Sequence, residues 1–168
     1  MDIGSKNSWP SCSLSNFAPH PFEIDGVQCN SMEGFLQSLK FSNPAMQAHV
    51  CTLVGIKAKM KGAHKNWHTT QTLYWRGIPV KRDSEAYQVL LNRAYNRLNQ
   101  NGGFRSALLA TGKTVFTHSV GKNDETRTVL TVKEFCSRLM HLRDVGDLPE
   151  TPKKGPGRSG LTGLQSRN

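Results

Sequence analysis

Long apolar runs are missing from this chain. Nowhere do about 18 apolar residues follow one another, so no segment is expected to span a membrane. The first ten residues, Met1 to Pro10, lack the basic-then-apolar order of a signal peptide, and a cytoplasmic protein is expected. Cysteine is scarce and scattered: Cys12, Cys29, Cys51 and Cys136 make no C-x-x-C and read as free thiols, with Cys51 and Cys136 expected to be buried in helices. Together with six histidines they offer no zinc-type ligand spacing, and no metal site is expected. Gly-x-Gly-x-x-Gly and the Walker pattern are absent, which removes the local signature of ATP or dinucleotide binding, and no cofactor is expected. A Gly-x-Ser-x-Gly elbow is absent too.

Acidic residues are few. Twelve Asp and Glu stand against 22 Lys and Arg, a net charge of +10 that favours phosphates, nucleotides or nucleic acid as partners. The 168 residues suit one domain with a core and a tail. Residues 1–12 are expected to be a flexible N-terminus, 13–146 the folded domain, and 147–168 a basic, disordered tail in which Pro and Gly become frequent. From Glu150 onward Lys153, Lys154, Arg158 and Arg167 oppose one carboxylate, which leaves +7 for the rest.

Local patterns predict a mainly α protein with a few short strands. Phe22-Glu23-Ile24 and Val27-Gln28-Cys29 flank Asp25-Gly26, the signature of a tight hairpin. Asn30 is expected to start a helix, with Glu33 three residues later in a capping-box position. Asn43-Pro44 reads as an N-cap and N1 pair for the next helix. Gly55 is expected to break that helix before a short basic turn, Lys57 to Lys61. Ser84 opens a helix with Tyr87, Leu90, Leu91, Ala94, Tyr95 and Leu98 on one face. Another short helix covers Phe104 to Ala110, Thr114 to His118 alternates like a strand, and Thr131 with Glu134 makes a capping box for the last helix.

The stretch Ser31 to Phe41 carries the most chemistry. Read as one helix, it puts Glu33, Gln37 and Lys40 on one stripe beside Phe35, Leu36 and Leu39. Glu33 and Lys40 would stand about 10 Å apart in rise and grip a ligand from two sides. A lysine among apolar neighbours loses proton affinity on burial and becomes a nucleophile toward an anomeric or carbonyl carbon. Glu33 reads either as a helix cap or as the acid–base partner.

Other polar residues carry two readings each. Ser15-Asn16-Phe17 forms either a plain Asx-turn or a ribose- or base-binding amide. Trp67, beside Asn66, either covers a core edge or stacks on a base. Lys57, Lys59, Lys61 and Lys65 are a solvated face or a phosphate-steering patch. Asn123, Asp124 and Arg127 crowd one loop, with capping and turn roles as the plain alternative. His118 is a base or a structural histidine.

In order along the chain, Leu14-Ser15-Asn16-Phe17, the Asp-Gly hairpin, Ser31-Met32-Glu33 through Gln37 to Lys40-Phe41, Lys65-Asn66-Trp67 and Ala107-Leu108-Leu109-Ala110-Thr111 resemble the YbiA-like family, also called NADAR, from about Ser13 to Arg143. The resemblance implies a single compact, mostly helical N-glycosidase domain acting on phosphorylated ribosyl compounds. Lys40 then matches the lysine that captures the sugar as a Schiff base, with Glu33 as catalytic partner. Ser15, Asn16, Phe17, Gln37, Asn66, Trp67, Asn123, Asp124 and Arg127 would bind substrate. The favoured substrate is ADP-ribose on guanine, carried on DNA or RNA. The alternatives are ribosylamino-pyrimidine phosphates of riboflavin synthesis and a non-catalytic ADP-ribose or NAD module. Two departures stand out. Relatives carry Trp-Gly and an acidic residue before the last helix, where this chain reads Val120-Gly121-Lys122-Asn123-Asp124. It also has Gly34-Phe35 where a His-aromatic pair is usual.

Overall fold

The structure is a computed structural model and describes residues 1–155. In chain order it contains α1 (Ser11–Leu14), β1 (Phe22–Ile24), β2 (Val27–Cys29), α2 (Met32–Ser38), α3 (Pro44–Cys51), α4 (Gly55–Gly62), β3 (Thr72–Trp75), β4 (Ile78–Lys81), α5 (Glu85–Leu98), α6 (Gly102–Ala110) and α7 (Val132–Asp144). Seven helices and two separate two-stranded antiparallel sheets among the described residues make the mainly α architecture that the periodicity predicts. No described helix is long and apolar enough to cross a membrane.

The first hairpin forms as expected. Phe22 pairs with Cys29 and Ile24 with Val27, and the turn residues Asp25 and Gly26 take positive φ of 50° and 76°. The Asp25 carboxylate receives Trp75 Nε1–H at 2.8 Å and pairs with Arg93, which ties the turn to β3 and α5.

Helix α2 lies at the centre of the packing. Its cap is Ser31, whose hydroxyl accepts from Gly34 N–H at 3.0 Å and donates to the Leu53 carbonyl at 2.9 Å. Asn30 is therefore not the cap, and Glu33 has no capping role. Phe35, Leu36 and Leu39 are buried as predicted, and Phe35 meets Trp75 edge-on at 5.1 Å. Each such buried side chain contributes about 1.5–3 kcal/mol. A side chain on Gly34 would stand 2.6–3.0 Å from the carbonyl oxygens of Leu53, Cys51 and Val50, so α2 approaches α3 only through glycine.

The helix is shorter than its sequence pattern. Leu39 is its C-cap. Its carbonyl accepts from Tyr74 N–H of β3 at 2.8 Å, while Lys40 N–H returns to Gln37 O and Phe41 N–H to Ser38 O. With that carbonyl engaged by a strand, the chain leaves the helix and Lys40 stands in a turn.

Two further expectations are corrected, and one hairpin is added. Lys57 to Lys61 is a full helical segment inside α4, entered through Gly55 at φ 58°. Thr114 to His118 makes no strand: Thr117 alone bridges Asp2 in parallel. The β3–β4 hairpin, turning on Arg76 and Gly77 with φ of 53° and 79°, had no predicted counterpart.

The chain ends are tied down where they are described. The N-terminal residues, expected to be loose, are stitched to residues 115–119: Met1 donates to Val115 O at 2.7 Å, Ile3 N–H to Thr117 O at 2.8 Å, and Ile3 is fully buried. Of the expected disordered tail, residues 147–155 run along α5. Leu148 is buried, and its N–H and C=O both bond to the Asn96 amide, at 2.8 and 2.9 Å. The rest of that tail, with Arg158 and Arg167, lies outside the described residues. The capping box on α7 forms as expected. Cys51 and Cys136 are buried in α3 and α7, and all four cysteines are free.

Candidate functional site

A cleft of about 680 Å³ opens between the α1–β1 connection, α2, α4 and the segment leading into α7. That volume lies in the range of small-ligand pockets.

Its floor is polar. Glu33 is 9% exposed and Gln37 7% exposed, one turn apart on the same face. Gln37 donates from Nε2 to the Glu33 carboxylate at 2.8 Å. Burial pushes the Glu33 carboxyl above its ordinary 4.5, and the Gln37 hydrogen bond and the charges of Lys59, Lys40 and His118 only partly offset it. Lys40 shows the converse. Burial pulls its amine below the ordinary 10.5, Glu33 pulls it back up, and Lys59 adds repulsion. Its ammonium donates to the Gly62 carbonyl at 3.3 Å. Within one cleft, burial thus makes the Glu33 carboxyl a weaker acid and the Lys40 ammonium a stronger one.

The wall opposite is the Ser15-Asn16-Phe17 turn. The Asn16 carbonyl accepts from Glu33 N–H at 2.9 Å, which satisfies a free donor of the first turn of α2. The Asn16 side-chain oxygen accepts from the buried Tyr95 hydroxyl at 2.9 Å. That leaves the Asn16 Nδ2 without a hydrogen-bond partner among the described residues, in a residue that lines the cleft. The turn is held by Phe17 N–H bonding to Ser15 Oγ at 3.2 Å.

Charge on the cleft is one-sided. Lys6, Lys40, Lys59, Lys122 and Arg127 line it, and Glu33 is the one carboxylate among its described residues. That balance suits an anionic ligand. The Lys59 ammonium also sits over the Phe17 ring at 5.9 Å.

The far wall, Thr128 to Thr131, is fixed from behind. The fully buried Arg82 guanidinium donates to Thr128 O at 2.9 Å and binds the Glu134 carboxylate with two hydrogen bonds, at 3.0 and 2.8 Å. The buried Tyr87 hydroxyl donates to Val129 O.

Of the residues singled out in the sequence, Ser15, Asn16, Phe17, Glu33, Gln37, Lys40 and Arg127 converge on this cleft. Four others do not line it. Trp67 is buried in the hydrophobic core, and Asn66 accepts from Thr69 Oγ1 at 2.6 Å. Asn123 accepts from Lys133 N–H at the start of α7, and Asp124 closes its own turn onto Thr126. These are core, capping and turn roles.

Two contributors were weaker in the sequence. Lys59 was one of four lysines with no mark to separate them. His118 stands on the cleft with its ring meeting Phe135 edge-on at 5.2 Å. Its Nδ1 is 2.8 Å from the Ile3 carbonyl. A carbonyl only accepts, so Nδ1 carries the proton and Nε2 is the nitrogen left for a ligand.

Comparison with known proteins identifies the family and the fold. A family model described as bacteriophage protein GP30.3 matches residues 8–144. A 17.1 kDa protein from the Gp30–rIII intergenic region of Enterobacteria phage T4, described as uncharacterized, is 40% identical over 147 residues, 86% of this chain and 97% of that protein. The solution structure of the E. coli protein YbiA matches with a TM-score of 0.55 at 17% identity, over 84% of this chain and 80% of that one. At that identity the likeness is one of fold.

Proposed function

The chain belongs to the bacteriophage protein GP30.3 family and has the YbiA fold, and on that footing we propose that it hydrolyses the N-glycosidic bond between a phosphorylated ribose and a base. The observation that carries the reading is the pairing of Glu33 and Lys40 in one cationic cleft, with burial shifting the two in opposite directions.

The steps balance as a hydrolysis. The ribosylamine opens to its iminium form, and neutral Lys40 adds through Nζ to the anomeric carbon. The bond from that carbon to the base nitrogen breaks, and the nitrogen leaves with the proton of Glu33. The sugar remains on Lys40 as an imine. Water, giving a proton to ionised Glu33 or to His118 Nε2, adds to the imine carbon, and collapse frees the amine and the sugar. Asn16 Nδ2 would orient the ribose hydroxyls, and Lys6, Lys59, Lys122 and Arg127 would hold the phosphates.

ADP-ribose on guanine in a nucleic-acid strand is the favoured substrate, since the four cleft cations besides Lys40 match a diphosphate better than a single phosphate. A second reading, a non-catalytic ADP-ribose module, is favoured by Trp67 and Asp124 lying off the cleft, which leaves it without an aromatic stacking wall from Trp67.

The test is incubation with an ADP-ribosylated guanine oligonucleotide and, separately, a ribosylamino-pyrimidine phosphate, with products read by mass. Release of unmodified guanine strand and free ADP-ribose is expected. Lys40→Ala should lose turnover on the order of a thousandfold or more and give no borohydride-trapped adduct. Tight ADP-ribose binding without released product would establish the module instead.

A further inference from the structure

Lys40 belongs to two cavities. Besides the cleft it lines a shallower groove of about 570 Å³ formed by the α2–α3 connection and α3, with Phe41, Asn43, Met46, His49 and Lys65. The proposed nucleophile is therefore a saddle between a deep cleft and an open groove. The Lys65 ammonium is held over the Phe41 ring at 4.5 Å, which fixes a charge at the edge of that groove.

The charge around the groove is extreme. The 32 residues from Gly34 to Lys65, which supply the groove and α4, contain five Lys and no Asp or Glu. Lys57, Lys59, Lys61 and Lys65 are exposed, and none forms an ion pair with a described residue. Ile56 and Met60, 58% and 65% exposed, lie one turn apart among them on α4. A solvated helix face that served only solubility would mix signs; this one offers cations and apolar side chains together, the combination that tracks a phosphate backbone and its bases.

We propose that this groove and the α4 ridge dock the single strand of nucleic acid that flanks the modified base, while the ribosyl group enters the cleft. The inference rests on the glycosidase reading for the cleft but concerns a different surface. A single strand fits better than a duplex, because a base whose sugar linkage is to be cut must be turned out of its stack. With the strand on one side of Lys40 and the diphosphate on the other, the bond to be broken lies across the saddle.

Binding of a short, unmodified, fluorescent oligodeoxythymidine tests this without any catalysis. Each phosphate contact to a single strand contributes about 0.7 to the slope of log K against log salt. Lys65→Ala should flatten the slope by about 0.7 and weaken binding about fivefold at 0.1 M salt. Lys113→Ala, which removes the same charge near Asp144, should leave binding unchanged. ADP-ribose affinity should be equal in all three proteins. No strand binding by the native protein, or an equal loss in both variants, overturns the proposal. Release of base from an ADP-ribosylated mononucleotide without strand binding would overturn it while leaving the glycosidase reading intact. Strand binding through Lys65 without base release would do the reverse.

Discussion

Gln37 donates to the carboxylate of Glu33 at 2.8 Å, and its amide oxygen, buried and unpartnered among the described residues, occupies the space where a side chain on residue 62 would begin. One amide thus opposes the effect of burial on the candidate acid and requires a glycine on the neighbouring helix. Gly62→Ala should push that amide away. The expected cost is about 1–3 kcal/mol in urea denaturation, with a loss of turnover that a distant surface substitution of similar cost does not share.

Gln37→Met keeps the volume and removes the donor. The Gln37 bond lowers the Glu33 carboxyl, so its loss should raise it further. The proposed mechanism needs neutral Lys40 and protonated Glu33, which would give a bell-shaped pH profile, its limbs belonging to the coupled pair. The limb that Glu33 sets should move to higher pH in Gln37→Met. An unmoved limb would show that the amide does not act through Glu33.

Glu33→Gln should abolish turnover yet stabilise the protein at neutral pH. The folded carboxyl lies above its unfolded value of 4.5, so the folded state holds its proton longer than the unfolded state does. Native stability therefore declines as pH rises from 4.5 through the folded value, and stays lowered above it. The variant lacks this penalty. Its melting temperature should exceed the native one at pH 7, with the gap closing as pH falls below 4.5.

His118→Asn retains a donor for the Ile3 carbonyl and removes Nε2. If Nε2 takes the proton from water, the first turnover should still release base while later turnovers slow about 10²–10⁴-fold. The borohydride-trapped adduct on Lys40 should then accumulate above its native level. Slowing of the first base release instead would assign His118 to the earlier step.

Arg82→Met leaves the Glu134 carboxylate without its bidentate partner and Thr128 O without a donor. Removing one member of a buried pair costs about 3–5 kcal/mol. Chemical denaturation measures it, and proteolysis should find the 128–131 wall exposed earlier than α5.

Local chemistry made much of the fold legible. Asp25-Gly26 needs two positive φ values, and Ser84, Asn43 and Thr131 each offer an oxygen to a first-turn N–H. The β3–β4 hairpin escaped because Arg-Gly is a weak turn signal and Pro79 argues against a strand. In the cleft, the Glu33–Gln37–Lys40 stripe was readable because helical spacing alone puts its first two members together. Trp67 was not, because an indole in a polar stretch packs inward or outward according to its tertiary neighbours. His118 and Lys59 come from elements far apart in sequence, and only the fold makes them neighbours of Glu33.

Gly34 adds a constraint of the same kind. Histidine, the residue usual at this position in the family that the sequence resembles, would drive a side chain into three carbonyl oxygens. Here the acid–base histidine, if the cleft uses one, has to arrive from another part of the chain, and His118 is the one in place.

The bond from Tyr74 N–H to the Leu39 carbonyl couples a remote hairpin to the amine. Lys40 stands where it does because α2 is stopped one residue earlier by a strand. A slip of β3 by one position would withdraw the Tyr74 N–H from the Leu39 carbonyl and release the turn that carries Lys40. The register of β3 therefore bears on a cleft it never touches, and a change confined to that hairpin could move Lys40 while every residue lining the cleft stays the same.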